Sequence, residues 1–303
     1  MSGQSTAGSE NGVLLFGGLT GAAGSPTVND LWHFANDKWT QLLPDDEDSD
    51  LPRPRVRMYA ASAMIGSKFY IFGGWDPGEK GSGGEFLDDI WSFDWTDKMW
   101  REEGAKLPYP VSRHAAVSVG GNNMAVIHTY KGILTYKDGV IAEQDTKGCA
   151  PDALSMCAMA AIENKVFVFG GADKTQNMSS DLYALDIMNW TWTKLECKGD
   201  GPTALASASM APLSGDQCIL FGGAGLSSKG YEGGYGLQPK NDTWICTITE
   251  KQVEWERIEC NTRPEGRLAA SLNRIGEGRF LLQGGYDSVS KETFEEAWIL
   301  SNK

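Results

Sequence analysis

One signature recurs along this chain and constrains what it can fold into: an apolar run closed by a glycine pair. It reads LLFGG at 14–18, YIFGG at 70–74, VFVFGG at 166–171 and CILFGG at 218–223; FLLQGG at 280–285 differs by Gln283. A variable loop follows each pair, then an acidic or polar residue and an aromatic: NDLWHF, DDIWSFD, SDLYALD, NDTWICT and EEAWIL. Four of these continue to a tryptophan, in KWTQL, MWREE, WTWTKLE and EWERIE. The first glycines fall at 17, 73, 170, 222 and 284, so the interval from 73 to 170 is double. Halving it uncovers a sixth repeat in VSRHAAVSVGGNNMAVIHTYKG at 111–132, which lacks the glycine pair and reads His128-Thr129-Tyr130. The period is about 53 residues, a length that marks stacked or circular repeats.

Each repeat reads as four short antiparallel strands. The first is rich in small residues, as in YAASAM at 59–64, ASASMA at 206–211 and LAASL at 268–272. Small side chains let inner strands crowd a central channel. The second is apolar on both faces, as a strand between neighbouring sheets should be. The third and fourth carry aromatics that fill the wedge toward the rim. One such sheet cannot bury both faces alone, so the repeats must close into a ring. In the weak third repeat we expect strands at about 113–119, 124–128, 132–136 and 139–143, with little protruding loop. Trp39, Trp100, Trp192 and Trp255 share one repeat position. Each is expected to wedge between its own and the next sheet.

The pattern of apolar strand, Gly-Gly, loop, aromatic and Trp resembles the Kelch family, over nearly the whole chain. The long loops after Gly-Gly look more like Kelch propellers of the host-cell-factor kind than BTB-linked adaptors, and no BTB or F-box segment fits. The resemblance implies an all-β, six-bladed Kelch β-propeller in one domain, 1–303, with four antiparallel strands per blade. Repeats are expected at about 1–46, 55–104, 111–148, 152–198, 203–260 and 265–303, the third degenerate. The last looks incomplete, since AWILSNK supplies neither a fourth strand nor a closing Trp. Either that blade has three strands or the chain is cut from something longer; the second reading is preferred.

Composition narrows the function classes. With 27 basic against 40 acidic residues the net charge is −13. Such a surface repels duplex DNA and anionic membranes. No long apolar run or basic leader is present, which reads as a soluble chain. Cys149, Cys157, Cys197, Cys218, Cys246 and Cys260 form no C-x-x-C pair. That suits free thiols in a reducing compartment, cytoplasmic or nuclear.

Catalytic constellations are sparse. The histidines are His33, His114 and His128. A copper-radical site like that of galactose oxidase cannot be assembled from them. Plant specifier proteins resemble this repeat but carry a Glu-x3-Asp-x3-His iron motif. Here Asn29, Pro110 and Met124 stand four residues before the histidines, so that motif is absent. No metal or other cofactor is expected.

Antiparallel alternation places the loops joining strands two and three on the same face as the connectors between blades. Arg57, Arg113 and Arg267 lie sixteen or seventeen residues before the glycine position and are expected to ring the channel mouth on that face, with His114 beside Arg113. Trp75-Asp76 and Tyr286-Asp287 follow Gly-Gly directly, and the Gly-rich loop 224–241 adds Tyr231 and Tyr235. Arg, Trp and Tyr dominate binding hot spots. The function expected is therefore a protein–protein interaction module that is monomeric and presents its loop face to a protein or peptide. The alternatives are an enzyme with a small-molecule site at the channel mouth, or a structural part of a larger assembly.

Overall fold

The computed structural model describes residues 1–9, 11–21, 25–46, 50–78, 83–121, 123–152, 154–227 and 236–301. Six antiparallel sheets stand around one axis. Blade 1 runs Ser5–Ser9, Gly12–Leu19, Thr27–Ala35 and Lys38–Leu43, each strand pairing with the next. Blade 2 repeats this order with Ala61–Ile65, Lys68–Asp76, Glu85–Asp94 and Met99–Glu102. Blade 3 forms Ala115–Val119, Met124–Thr129, Gly132–Lys137 and Val140–Gln144, so the repeat without a glycine pair builds a full four-strand sheet near the expected positions. Blades 4 and 5 each gain a short parallel strand at the rim, Lys147–Gly148 and Glu196–Lys198. The sheet of blade 6 holds Ser271–Gly276, Arg279–Gln283 and Ala297–Ser301 among the described residues.

The glycine pair is explained by its backbone. Gly73 and Gly74 have φ of 53° and 111°, and the pairing register shifts across them, a bulge that swings the chain toward the axis. A Cβ on Gly73 would lie 2.8 Å from the carbonyls of both Leu87 and Val111. No other residue fits there.

The first strand of every blade faces the channel, whose volume is about 390 Å3. Serines on these strands stitch neighbours together: Ser62 donates to the Thr6 carbonyl at 3.0 Å and Ser209 to that of Ala270 at 2.6 Å. Between blades 6 and 1 the ring closes through Asn273 Nδ2 to Thr6 Oγ1, 2.9 Å, and Gln4 Nε2 to the Gln283 carbonyl, 2.9 Å.

The core lies between blades. Trp100 packs its ring 5.0 Å from Phe16 of blade 1, and Trp255 lies 5.3 Å from Phe169 of blade 4. Trp192 sits edge-on to His128 of blade 3, and Trp39 packs with Ile275 and Leu281 of blade 6. The closing tryptophans thus fill the wedge toward the preceding blade, not the following one. Strand parity decides this: alternate residues of the fourth strand face opposite sides, and the Trp position faces back. In blade 3, Ile141 packs with Tyr136 toward blade 2 instead.

Candidate functional site

The face carrying the glycine pairs and blade connectors holds the loops, as their chain positions require. Its centre is the channel mouth, ringed by six residues with left-handed φ: Gly3, Tyr59, Arg113, Met156, Ser207 and Ala269, one from each blade. Their backbones join blade to blade. Tyr59 N donates to Gly3 O (2.7 Å), Arg113 N to Tyr59 O (3.0 Å), Met156 N to Arg113 O (2.8 Å), Ser207 N to Met156 O (2.8 Å) and Ala269 N to Ser207 O (3.0 Å). Most of these residues are not glycine, so a positive φ at this position is not legible from composition.

The three arginines do not share one position. Arg113 stands on this ring, equivalent to Tyr59, and its guanidinium lies 4.5 Å from the Tyr59 ring centroid. The position equivalent to Arg57 in blade 3 is Val111: Gly18 N donates to the Arg57 carbonyl and Gly74 N to that of Val111. Counting back from Thr129 misplaced the residue because the turn between the first two strands of blade 3 spans 120–123, whereas in blade 2 it spans 66–67.

Arg57 and Arg267 are likewise corrected, since they lie beneath the face. Both side chains are fully buried, at 0% exposure. Arg57 Nη1 donates to the Gly73 carbonyl at 2.9 Å, and its fork holds both oxygens of Asp89 at 2.6 and 2.8 Å. Arg267 donates to the Gly284 carbonyl at 3.0 Å and to Glu296 at 2.7 Å, with Phe294 under its guanidinium at 3.8 Å. Each arginine satisfies a carbonyl turned away from the sheet at the glycine bulge. Burial by itself would raise the Asp89 carboxyl, but the Arg57 hydrogen bonds and charge outweigh it and hold the pKa below the usual value. Glu296 follows the same balance with Arg267.

Those carboxylates belong to a repeated device that the sequence shows in plain view. The acid two residues before the third-strand Trp accepts its indole N–H: Asp30 from Trp32 at 2.6 Å and Asp89 from Trp91 at 2.8 Å. Alternation puts the two side chains on one face of the strand. The cation that joins the acid varies by blade: Arg57, Lys194 with Asp181 and Arg257 with Asp242.

The other expected residues divide. Trp75 and Tyr286 are half-buried at the mouth and bridge Met58 and Leu268 of their own blades. Asp76 and Asp287 cap their loops, accepting from Gly78 N and Val289 N, both at 2.8 Å. His114 lines the channel just inside Arg113. Burial holds its imidazole neutral, its pKa brought down to about 4, with the Phe72 backbone opposing in part. Cys157 is the neighbouring channel residue on blade 4. Its thiol reaches the Gly170 carbonyl at 3.4 Å, and burial pushes its pKa up to about 12. Cys157 therefore has no thiolate character near neutral pH. Tyr231 and Tyr235 lie outside the described residues. Among the described residues no group of three or more His, Cys, Asp or Glu is gathered as metal ligands.

Exposed large apolar side chains that sequence reasoning missed also mark this face: Leu51, Tyr130, Leu226 and Val289 on its connectors and loops, and Phe86 near the start of the third strand of blade 2. Nothing in a local stretch distinguishes them from core residues, because their exposure depends on how the loops fold back.

Six blades, glycine-bulged second strands and acid-capped indoles define a Kelch-type propeller. The chain belongs to the KLHDC2/KLHL20/DRC7 Kelch-repeats domain family, whose model matches residues 1–142 and 132–303. It is 29% identical over 153 residues to Kelch domain-containing protein 2 of Bos taurus, covering 50% of this chain and 35% of the relative. It is 23% identical to Kelch domain-containing protein 3 of Rattus norvegicus, covering 80% of this chain and 67% of that protein. N-(sulfonatooxy)prop-2-enimidothioate sulfolyase of Thlaspi arvense is 23% identical over 88% of this chain and 79% of its own length. The solved structure of YjhT superposes with a TM-score of 0.73 at 17% identity, over 100% of this chain and 95% of that one, a likeness of fold. The chain thus spans about a third of the bovine relative's length.

Proposed function

We propose that the protein is an interaction module that presents its loop face, around the channel mouth, to a protein or peptide. The observation that carries this is a set of large apolar side chains left in water around the loop face: Phe86 is 52%, Leu226 50% and Val289 70% exposed. Side chains of this kind on a water-facing surface mark contact sites. Arg113, Trp75 and Tyr286 stand beside the mouth as anchors, with Asp76 and Asp287 holding the loops that carry them. Arg57 and Arg267 support the face from below. On this reading the third repeat is a degenerate blade that keeps its strands without the glycine bulge. Six unpaired thiols fit a reducing compartment, cytoplasm or nucleus, and the net charge of −13 favours a protein partner over nucleic acid or membrane.

The test is retention of protein partners from cell extract by the full chain. A Leu226→Asp, Val289→Asp double variant should lose retention, while Met188→Asp on the opposite face should keep it. Equal retention by both would overturn the reading. An enzyme with its site at the channel mouth is the second reading, favoured by the plant relative named as a sulfolyase. It requires turnover that His114→Ala abolishes.

A further inference from the structure

The rim of blade 6 leaves a sheet edge uncovered. Among the described residues no strand pairs with the outer side of Ala297–Ser301. The fourth strands of the other blades each carry charge that discourages pairing with a second sheet, at Lys38, Arg101, Glu143, Lys194 and Arg257. Ala297–Ser301 carries none. Gly284 N donates to the Glu296 carbonyl at 3.4 Å, so Trp298 and Leu300 turn their backbone groups inward to Arg279–Gln283. Alternation then aims those of Ala297, Ile299 and Ser301 outward. Ile299 is 40% exposed, and Trp298 and Leu300 are only partly buried against the core shared with blade 5. The residues equivalent to Leu300, Phe34, Phe93, Leu185 and Cys246, are buried, each opposite the closing tryptophan of its blade. Blade 6 thus presents an apolar, uncharged edge with the place of a tryptophan open beside Leu300.

The edge is complementary to itself. Turned about a two-fold axis at Ile299, the strand of a second copy runs antiparallel to the first. Ile299 then faces Ile299 and exchanges both backbone bonds with it, and Ala297 faces Ser301. The same axis sets Trp298 of each copy opposite Leu300 of the other. The kind of pair also matches. Bonds from Glu103 N to Ile90 O, Leu195 N to Leu182 O and Thr249 N to Gln252 O make the tryptophan pairs of blades 2, 4 and 5 non-hydrogen-bonded. Centring on Ile299 gives Trp298 and Leu300 that kind of pair too. Moving the axis by one residue would set Leu300 against Glu296 or against itself, so one register alone brings in the indole.

We propose that two copies of this chain pair through Ala297–Ser301, each completing blade 6 of the other and placing its Trp298 beside the other's Leu300. This replaces the monomer expected from the sequence with a reversible dimer, weak because one strand pair is a small contact. Antiparallel pairing turns the two loop faces to opposite sides and leaves both open, so the dimer is independent of what that face binds.

Sedimentation velocity of the full chain, from low micromolar to submillimolar concentration, provides the test. The mass should rise from one chain towards two. Ile299→Lys sets two like charges face to face on the axis, and Ile299→Glu does the same. Each variant alone should dimerise about 10-fold or more weakly than wild type. Mixed together, the Lys and Glu variants should associate again, a recovery that requires both to be folded and residue 299 to meet residue 299. Ile299→Pro removes an outward N–H without touching the ladder to Arg279–Gln283, and should also weaken the dimer. Val140→Asp, on the outer strand of blade 3 and 63% exposed in wild type, should leave it unchanged. A single-chain mass at every concentration overturns the proposal. So does a dimer that survives Ile299→Lys, one lost in Val140→Asp, or a Lys–Glu mixture that stays apart.

Discussion

Truncating Arg57 would strand the Asp89 carboxylate, 17% exposed, with its bidentate partner gone. Leaving one half of a buried pair costs roughly 3–5 kcal/mol. Arg57→Ala is therefore expected to lower the melting temperature steeply, whereas Arg113→Ala should change stability by under about 0.5 kcal/mol. Thermal melts of the two compare a strut with a surface group, and equal losses would refute the distinction. His128 carries the second consequence at this scale. It occupies the place where Phe16, Phe72, Phe169 and Phe221 stand in other blades. Burial brings the pKa values of His128 and His114 down to about 4 from 6.5. Below pH 6.5 the unfolded chain binds more protons than the folded one. Stability is therefore full above that value and is lost as pH falls toward 4, by roughly 3 kcal/mol per imidazole over the window. His128→Phe is expected to remove about half of this acid sensitivity. A melting temperature that falls with acid as steeply as wild type would count against it.

Each strand of the repeat has a job that its sequence announces with different clarity. The second strand announces itself, since apolar run and glycine pair map directly onto a buried strand and its bulge. The fourth is marked by Trp, but its direction of packing was misread, because periodicity gives alternation without saying which blade lies on which side. Trp192 is 3% exposed between blades 3 and 4, while Trp75 is half-buried beyond the bulge. Trp192→Ala is expected to cost roughly 3–5 kcal/mol and Trp75→Ala a small fraction of that. Chemical denaturation of both variants decides, and similar midpoints would undo the separation of core from face. The third blade shows where counting fails. Its longer first turn shifts Arg113 two places along, onto the mouth ring, so a residue expected to match Arg57 matches Tyr59 instead.

For the whole molecule, the repeat period and glycine pairs were enough to read a six-bladed ring, including the blade that lacks the pair. The candidate site was less legible. Its loop face followed from strand alternation, but which arginine faces water depends on ion pairs such as Arg57–Asp89, whose members lie far apart in sequence. The chain of backbone bonds around the mouth bears on how such a molecule can diversify. Gly3, Tyr59, Arg113, Met156, Ser207 and Ala269 share one conformation and almost no side-chain chemistry. Peptide groups carry the links from Gly3 round to Ala269, so the outline of the aperture does not depend on a shared side chain. A lineage built on this ring can rewrite the letters at its rim, and with them the ligands it admits, without reshaping the opening.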